Sequence, residues 1–238
     1  MHDPPESKGL PPIEELTGEE TPGTPRDHGK TSDLQRSVIR NPLVWVLALS
    51  SAFMYISRYA INGWGVLFLQ EIKGYTLAAA TQVISVNALC GIVGTVFSGW
   101  LSDAFFHGRR NVLAFGFGVL NTVALCLFLY SGDGLVVNIL SMILFGVAIG
   151  VLICFLGGLM AIDIVPREAT GAALGIVGMA SYVGAGLQDI VSGWLINSGK
   201  TELDSVTSYN FDSAIVFWIA ASAVSFILAL FVAKRSHR

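Results

Sequence analysis

The stretch PLVWVLALSSAFMYISRYAINGWGVLFL, residues 42–69, carries no acid, no lysine and a single arginine, Arg58. It is longer than the roughly 20 residues that a helix needs to cross a hydrocarbon core, and its length and apolarity predict a transmembrane helix. Arg58 sits near its middle. A guanidinium stays protonated in a protein, so such a helix must give it an anion, a water-filled cavity or an interface.

The rest of the chain repeats this material. Of the 238 residues, 53% are hydrophobic and only 13% are charged, about half the charged fraction of an ordinary soluble domain. Mean hydropathy is +0.64. The charges leave five further apolar segments, Leu77–Leu101, Val112–Tyr130, Leu135–Ile162, Ala169–Ile196 and Ala214–Ala233. The expected fold is therefore an all-α membrane protein with six transmembrane helices over residues 41–238. Interspersed glycines are compatible with this, since Gly lets membrane helices pack closely.

The bases are unevenly distributed. Arg36 and Arg40 precede the first segment, Arg109 and Arg110 follow the second, Arg167 the fourth, and Lys234, Arg235 and Arg238 the sixth. The other side carries Lys73 and Lys200. The positive-inside rule then predicts a multi-pass protein with both termini cytoplasmic, in keeping with an even number of crossings.

Residues 1–40 differ in kind. Pro4-Pro5, Pro11-Pro12 and Glu19-Glu20 lie in a segment rich in Pro, Gly, Thr and Glu, which cannot bury enough apolar area to fold alone. It has no apolar core of a signal peptide. A disordered cytoplasmic linker is expected.

Cys90, Cys126 and Cys154 all fall within predicted helices without metal-ligand spacing, and read as small buried hydrophobes. His2, His28, His107 and His237 lie in tails or a loop. No Walker loop, nucleophile triad or metal cluster is visible. The expectation is neither an enzyme nor a nucleic-acid binder, with no cofactor and no metal, whose surroundings are the lipid bilayer.

A weak internal repeat relates the second and fifth helices. Aligning Thr76–Leu101 with Thr170–Leu195 gives eight identities in 26 positions, ending in a shared Ser-Gly-Trp-Leu. Helices three crossings apart run in opposite directions, so the repeat predicts a 3+3 inverted arrangement like that of transporter halves.

Ser51, Tyr55, Arg58 and Asn62 are spaced by four, three and four, and fall on one helical face. Two hydroxyls, an amide and a permanent cation suit a phosphate or carboxylate, which Arg grips with a planar fork. The alternative is an arginine paired with a structural acid or carbonyl between helices. The mid-helix position and the polar stripe favour the anion. In the second helix Asn87, Gly91, Gly94 and Ser98 share a face that suits close packing. In the fifth, Gly178, Tyr182, Ala185 and Asp189 share another. Asp189 is a candidate charge partner for Arg58, a ligand for a cation or proton, or an outer-end residue in water. Asp103, followed by Arg109 and Arg110, and the Asp163–Glu168 turn read as gating or packing loops at helix ends.

Gly99–Arg110 resembles the G-x-x-x-D-x-x-x-G-R-R loop of the major facilitator superfamily, between its eighth and ninth helices. Tyr55-Ile56-Ser57-Arg58-Tyr59 with Trp64 is similar to the seventh helix of its organophosphate:phosphate antiporters, and Asp163–Gly171 to the turn between the tenth and eleventh. The resemblance covers Asn41–Arg238 and implies one lobe of a major facilitator fold, its C-terminal half, in a plasma (inner) membrane. It implies exchange of an organophosphate, a sugar phosphate, for inorganic phosphate, or a sugar-phosphate sensor of the same fold, or an inactive fragment. It also implies that Arg58 binds the phosphate and that Tyr55, Tyr59 and Tyr182 lie in or near the cavity; Asn62 of the polar stripe and Asn87 of the second helix join them as candidate substrate contacts from their own positions. There are departures: an acid of the eighth helix is replaced by Ala88 or its neighbour Asn87, and no tyrosine stands near Val151. The resemblance further implies a partner, an N-terminal six-helix half carrying a second arginine.

Overall fold

The fold begins with a capped helix. In the computed structural model, which describes residues 35–106, 110–203 and 206–236, Asn41 accepts a hydrogen bond from the Leu43 amide at 3.0 Å, and Pro42 occupies the first turn of α1, Pro42–Glu71. An Asn cap followed by Pro satisfies one orphan amide and removes another. Only the backbone course is described for 102–106, 110–111, 201–203, 206–208 and 233–236. The chain is already helical over 35–40 and Val38 is buried, so the lobe boundary expected at Asn41 falls inside folded structure.

After α1, Gly74 takes φ 69°, a left-handed conformation that glycine adopts without steric cost. Thr76 then accepts from the Ala79 amide at 3.3 Å and starts α2, Leu77–Phe106. There follow α3, Arg110–Tyr130, and a fourth crossing, α4, Leu135–Ile164. This last is α-helical to Cys154, passes through a π turn at Phe155–Leu159 and resumes at Met160–Ile164. Pro166 and a short 3₁₀ turn, Arg167–Ala169, lead into α5, Thr170–Ser198. A two-stranded antiparallel ribbon, β1 (Thr201–Leu203) and β2 (Val206–Ser208), precedes α6, Asp212–Ser236. Among the described residues, the ribbon is the one departure from the all-α expectation. Each helix is long and apolar enough to cross a membrane. The chain is a multi-pass membrane protein, and six crossings leave residues 35 and 236 on the same side.

Packing follows the inverted repeat. The most extensive contacts are α2 with α4, α1 with α5, α1 with α6, α3 with α4, and α3 with α6. Exchanging α1 for α4, α2 for α5 and α3 for α6 maps this set onto itself. Small residues permit the closest approaches. A side chain on Gly94 would strike the Val147 backbone, one on Gly146 the Asn87 backbone, and one on Gly150 the Gly91 carbonyl. A Cβ on Gly184 of α5 would come 2.8 Å from the Ala52 carbonyl of α1. Hydroxyls tie the helices where no water competes. Ser50 and Ser225 each donate to the other's carbonyl at 2.8 Å, joining α1 to α6. Asn121 of α3 donates to Ser222 of α6 at 2.7 Å. Trp218, Phe68, Phe128, Phe145, Phe155 and Phe211 fill the buried core.

Burial is unequal. In the most apolar windows of α1 and α4, 61% of residues are buried within this chain, against 28% for α2 and for α5. The outer faces of α2 and α5 are apolar: Leu89, Ile92, Val96 and Trp100 on one, Met179, Val183, Ile190 and Trp194 on the other. The cysteines are free and half-buried, not sealed in the core.

Candidate anion-binding cleft

Arg58 lies in the middle of α1, where Ser57 and Ile56 turn inward and are buried while Arg58 and Tyr59 are half-exposed. It lines a cleft of about 430 Å³ between α1, α2 and α4. Asn62 extends the α1 wall one turn beyond Arg58. Asn87, Gly91 and Thr95 form the α2 wall, and Gly150 and Ile153 close the side from α4. The glycines that let α2 and α4 touch thus also bring the α4 backbone to the cleft edge. Sequence alone gave no sign of the α4 contribution, since Gly150 and Ile153 carry no polar group.

Polar groups in the cleft are held in place. Asn87 donates through Nδ2 to Asn62 Oδ1 at 3.1 Å and to the Ile84 carbonyl at 3.0 Å. Thr95 donates to the Gly91 carbonyl at 2.9 Å and lies 3.2 Å from the Gly150 carbonyl. The guanidinium itself is flanked by rings: Arg58 Cζ is 5.6 Å from the centroids of both Tyr55 and Tyr59. Those rings stack at 5.8 Å, and Tyr182 of α5 meets Tyr55 edge-on at 5.6 Å. Cation–π contacts orient an arginine without neutralising it. Among the described residues, no ion pair neutralises Arg58.

The expected site residues therefore fall into two groups that meet at Arg58. Asn62 and Asn87 share its cleft, whereas Tyr55, Tyr59 and Tyr182 form an aromatic cluster beside it. Ser51 leaves the stripe: it is buried and bonded to Ser181 of α5 at 2.7 Å, a helix–helix contact. Asp189 is exposed, with Oδ1 placed 3.3 Å from where a Cβ on Gly63 would stand, and forms no ion pair with Arg58. The expected gating groups lie outside the described residues: Arg109 entirely, Asp103 and Arg110 in their side chains.

A larger recess of about 570 Å³ opens at the loop end, lined by Phe68, Tyr130, Tyr209, Asn210 and Asp212 among others. Its lining includes a carboxylate and no base, so the smaller cleft is the better anion site on charge.

Lys73 was not singled out as a site residue by the sequence. Its ammonium donates to Asn138 Oδ1 at 2.7 Å, to Ser131 Oγ at 3.2 Å and to the Phe128 carbonyl, between the rings of Phe68 and Phe128 at 5.5 and 5.0 Å. Asn138 in turn donates to Tyr75 Oη at 3.1 Å. The knot ties the α1–α2 loop to the α3–α4 loop. Burial pushes the Lys73 ammonium down to about 8, with Asp133 opposing the shift.

Known proteins with similar sequences bear on this geometry. The family model of the Major Facilitator Superfamily matches residues 1–188. The chain is 34% identical over 193 residues to a glycerol-3-phosphate transporter of Bacillus subtilis (strain 168), covering 77% of this chain and 42% of that protein. It is 32% identical over 203 residues to the membrane sensor protein UhpC of Salmonella typhimurium, covering 82% of this chain and 44% of the relative. It is also 32% identical over 208 residues to a probable hexose phosphate transport protein of Chlamydia pneumoniae, with 78% and 44% covered. The chain thus spans less than half the length of these relatives. With six crossings, inverted-repeat packing and a family match over most of its length, the chain belongs to the major facilitator superfamily.

Proposed function

We propose that this chain forms one lobe of an organophosphate transporter, in which Arg58 holds the phosphate of a sugar phosphate or of inorganic phosphate during exchange. The observation that carries the reading is a half-exposed guanidinium, flanked by rings and amides but neutralised by no carboxylate among the described residues, in a cleft within a membrane-spanning bundle. A permanent cation in that position favours an anionic ligand by several charge-assisted hydrogen bonds. The names of the similar proteins, among them a glycerol-3-phosphate transporter and a probable hexose phosphate transport protein, support a phosphate ester as the ligand class.

The lobe works with a second six-helix half. The poorly covered apolar faces of α2 and α5 and the half-length match to its relatives support that reading. Alternating access then rocks the two halves about a site between them. The charge asymmetry of the loops supports cytoplasmic termini, and the resemblance to the organophosphate:phosphate antiporters supports a plasma membrane location. No catalytic step is assigned to the chain. A second reading, a membrane sensor that binds the same ligand without carrying it, is favoured by the similarity to UhpC.

Reconstitution with a complementing half in phosphate-loaded vesicles tests the reading. Phosphate exchange that is lost in Arg58→Lys is expected. Binding without exchange would select the sensor, and neither binding nor exchange would end both readings.

A further inference from the structure

Arg36 and Arg40 stand one helical turn apart just before α1, and neither lines the Arg58 cleft. With Ser37, Asn41 and Pro42 they border a recess of about 530 Å³ whose lining includes no acid. Both arginines are exposed, and no described residue pairs with either guanidinium. Asn41 Oδ1 takes the Leu43 amide at 3.0 Å, so what its side chain has left to offer is the NH₂ donor. Two guanidiniums and an amide donor suit an oxyanion.

The depth of the recess decides which oxyanion reaches it. α1 has 30 residues, which at 1.5 Å each is about 45 Å, against roughly 30 Å for a hydrocarbon core. Its first turns therefore stand at headgroup depth. Trp45 marks that level: it is 48% exposed, and its indole N–H donates to the Ile39 carbonyl at 2.7 Å. An apolar ring with a satisfied polar tip is what the interfacial belt selects. Ile39 and Leu49 are exposed as well. Leu49 precedes Arg58 by nine residues, about two and a half turns, so this strip points away from the cleft and toward the bilayer. α6 brings more charge to the same corner. It runs antiparallel to α1, and the reciprocal Ser50–Ser225 bonds set the register. Eight residues back from Ser50 is Pro42, and eight on from Ser225 is Ala233, so the backbone of Lys234 and Arg235 is level with Asn41 and Arg40. Four bases at one membrane face, beside an interfacial tryptophan, select anionic lipid over neutral lipid.

We infer that this corner binds the phosphate of an anionic phospholipid headgroup, gripped by Arg36 and Arg40, while the acyl chains lie along Ile39, Trp45 and Leu49. A zwitterionic headgroup brings an ammonium with its phosphate, which the arginines repel, and it is held less tightly. The bound lipid anchors the start of the helix that carries Arg58. Arg58 and its ligand take no part in the contact.

Quenching of Trp45 reads this contact in the full chain, reconstituted in vesicles of phosphatidylcholine with a minority of phosphatidylglycerol. Bromine is placed on the acyl chains of one lipid or the other, and the fluorescence missing from Trp45→Phe is assigned to Trp45. The relative affinity at Trp45 favours phosphatidylglycerol about fivefold or more, the worth of one arginine near a membrane surface. In the double variant Arg36→Gln with Arg40→Gln, whose melting midpoint checks the fold, the ratio falls to about one. Inorganic phosphate added at constant ionic strength leaves the preference of the unaltered chain in place. Equal quenching by the two lipids, or a preference that survives the double variant, overturns the inference. Loss of the preference on adding inorganic phosphate also overturns it, and makes the recess a site for soluble anions.

Discussion

Arg58 and Lys73 are two half-buried cations in one chain, and their surroundings separate their roles. Lys73 is saturated: three oxygens receive its protons and two rings sandwich it. Arg58 has rings and an open cleft. The first is a structural tie, and the second can take a ligand. Substituting Arg58 by Lys keeps the charge but removes the planar fork. Phosphate affinity should fall about tenfold or more in equilibrium dialysis, consistent with loss of a charge-assisted hydrogen bond. Lys73 predicts a pH effect. Its folded-state value of about 8 lies below the ordinary lysine value, 10.5. Between those two values the unfolded chain binds more protons, so the stability contributed at Lys73 rises with pH across that window and is lowest below it. Melting of the unaltered chain relative to Lys73→Met, followed from pH 7 to pH 10, should shift in favour of the unaltered chain above pH 8. A difference independent of pH would show that Lys73 does not titrate there. Arg58 was legible in the sequence because a lone charge in an apolar run is conspicuous. Lys73 was not, since its partners come from residues 55 to 65 positions away.

At the scale of elements, the helices were legible and their contacts were less so. Apolar length alone predicted all six, with ends within a few residues, because a bilayer imposes one minimum span on every crossing. The ribbon before α6 was missed, as three-residue strands in a loop have no periodicity to read. The stripe on α1 was half right. Helical spacing put Ser51 on the same face as Arg58, but the face winds around the axis, and by Ser51 it has turned to meet Ser181 of α5. Asn87, Gly91 and Gly94 were read as a packing face, and they pack: their backbone touches α4 at Gly146, Val147 and Gly150. The same contact makes one wall of the cleft. Gly150→Val should therefore both destabilise the bundle, by about 1–3 kcal/mol as overpacking does, and lower phosphate affinity by widening the cleft. Thermal melting and phosphate binding on one preparation check this. A stable, normally binding Gly150→Val chain would mean that α2 and α4 need not touch.

At the scale of the molecule, the symmetry of the contacts carries the reading. Each of the three-helix units packs against the other in equivalent ways, as the shared Ser-Gly-Trp-Leu of α2 and α5 anticipated. What the lobe leaves uncovered, the apolar faces of α2 and α5, is what the proposed second half would cover. The central claim is that Arg58 is the phosphate ligand of this lobe. It is tested most directly by titrating inorganic phosphate into the chain, carrying ¹⁵N-labelled arginine, in nanodiscs. One guanidinium resonance should move with saturation and be absent from the Arg58→Lys spectrum. No saturable shift, or a shift that persists in Arg58→Lys, would contradict the account.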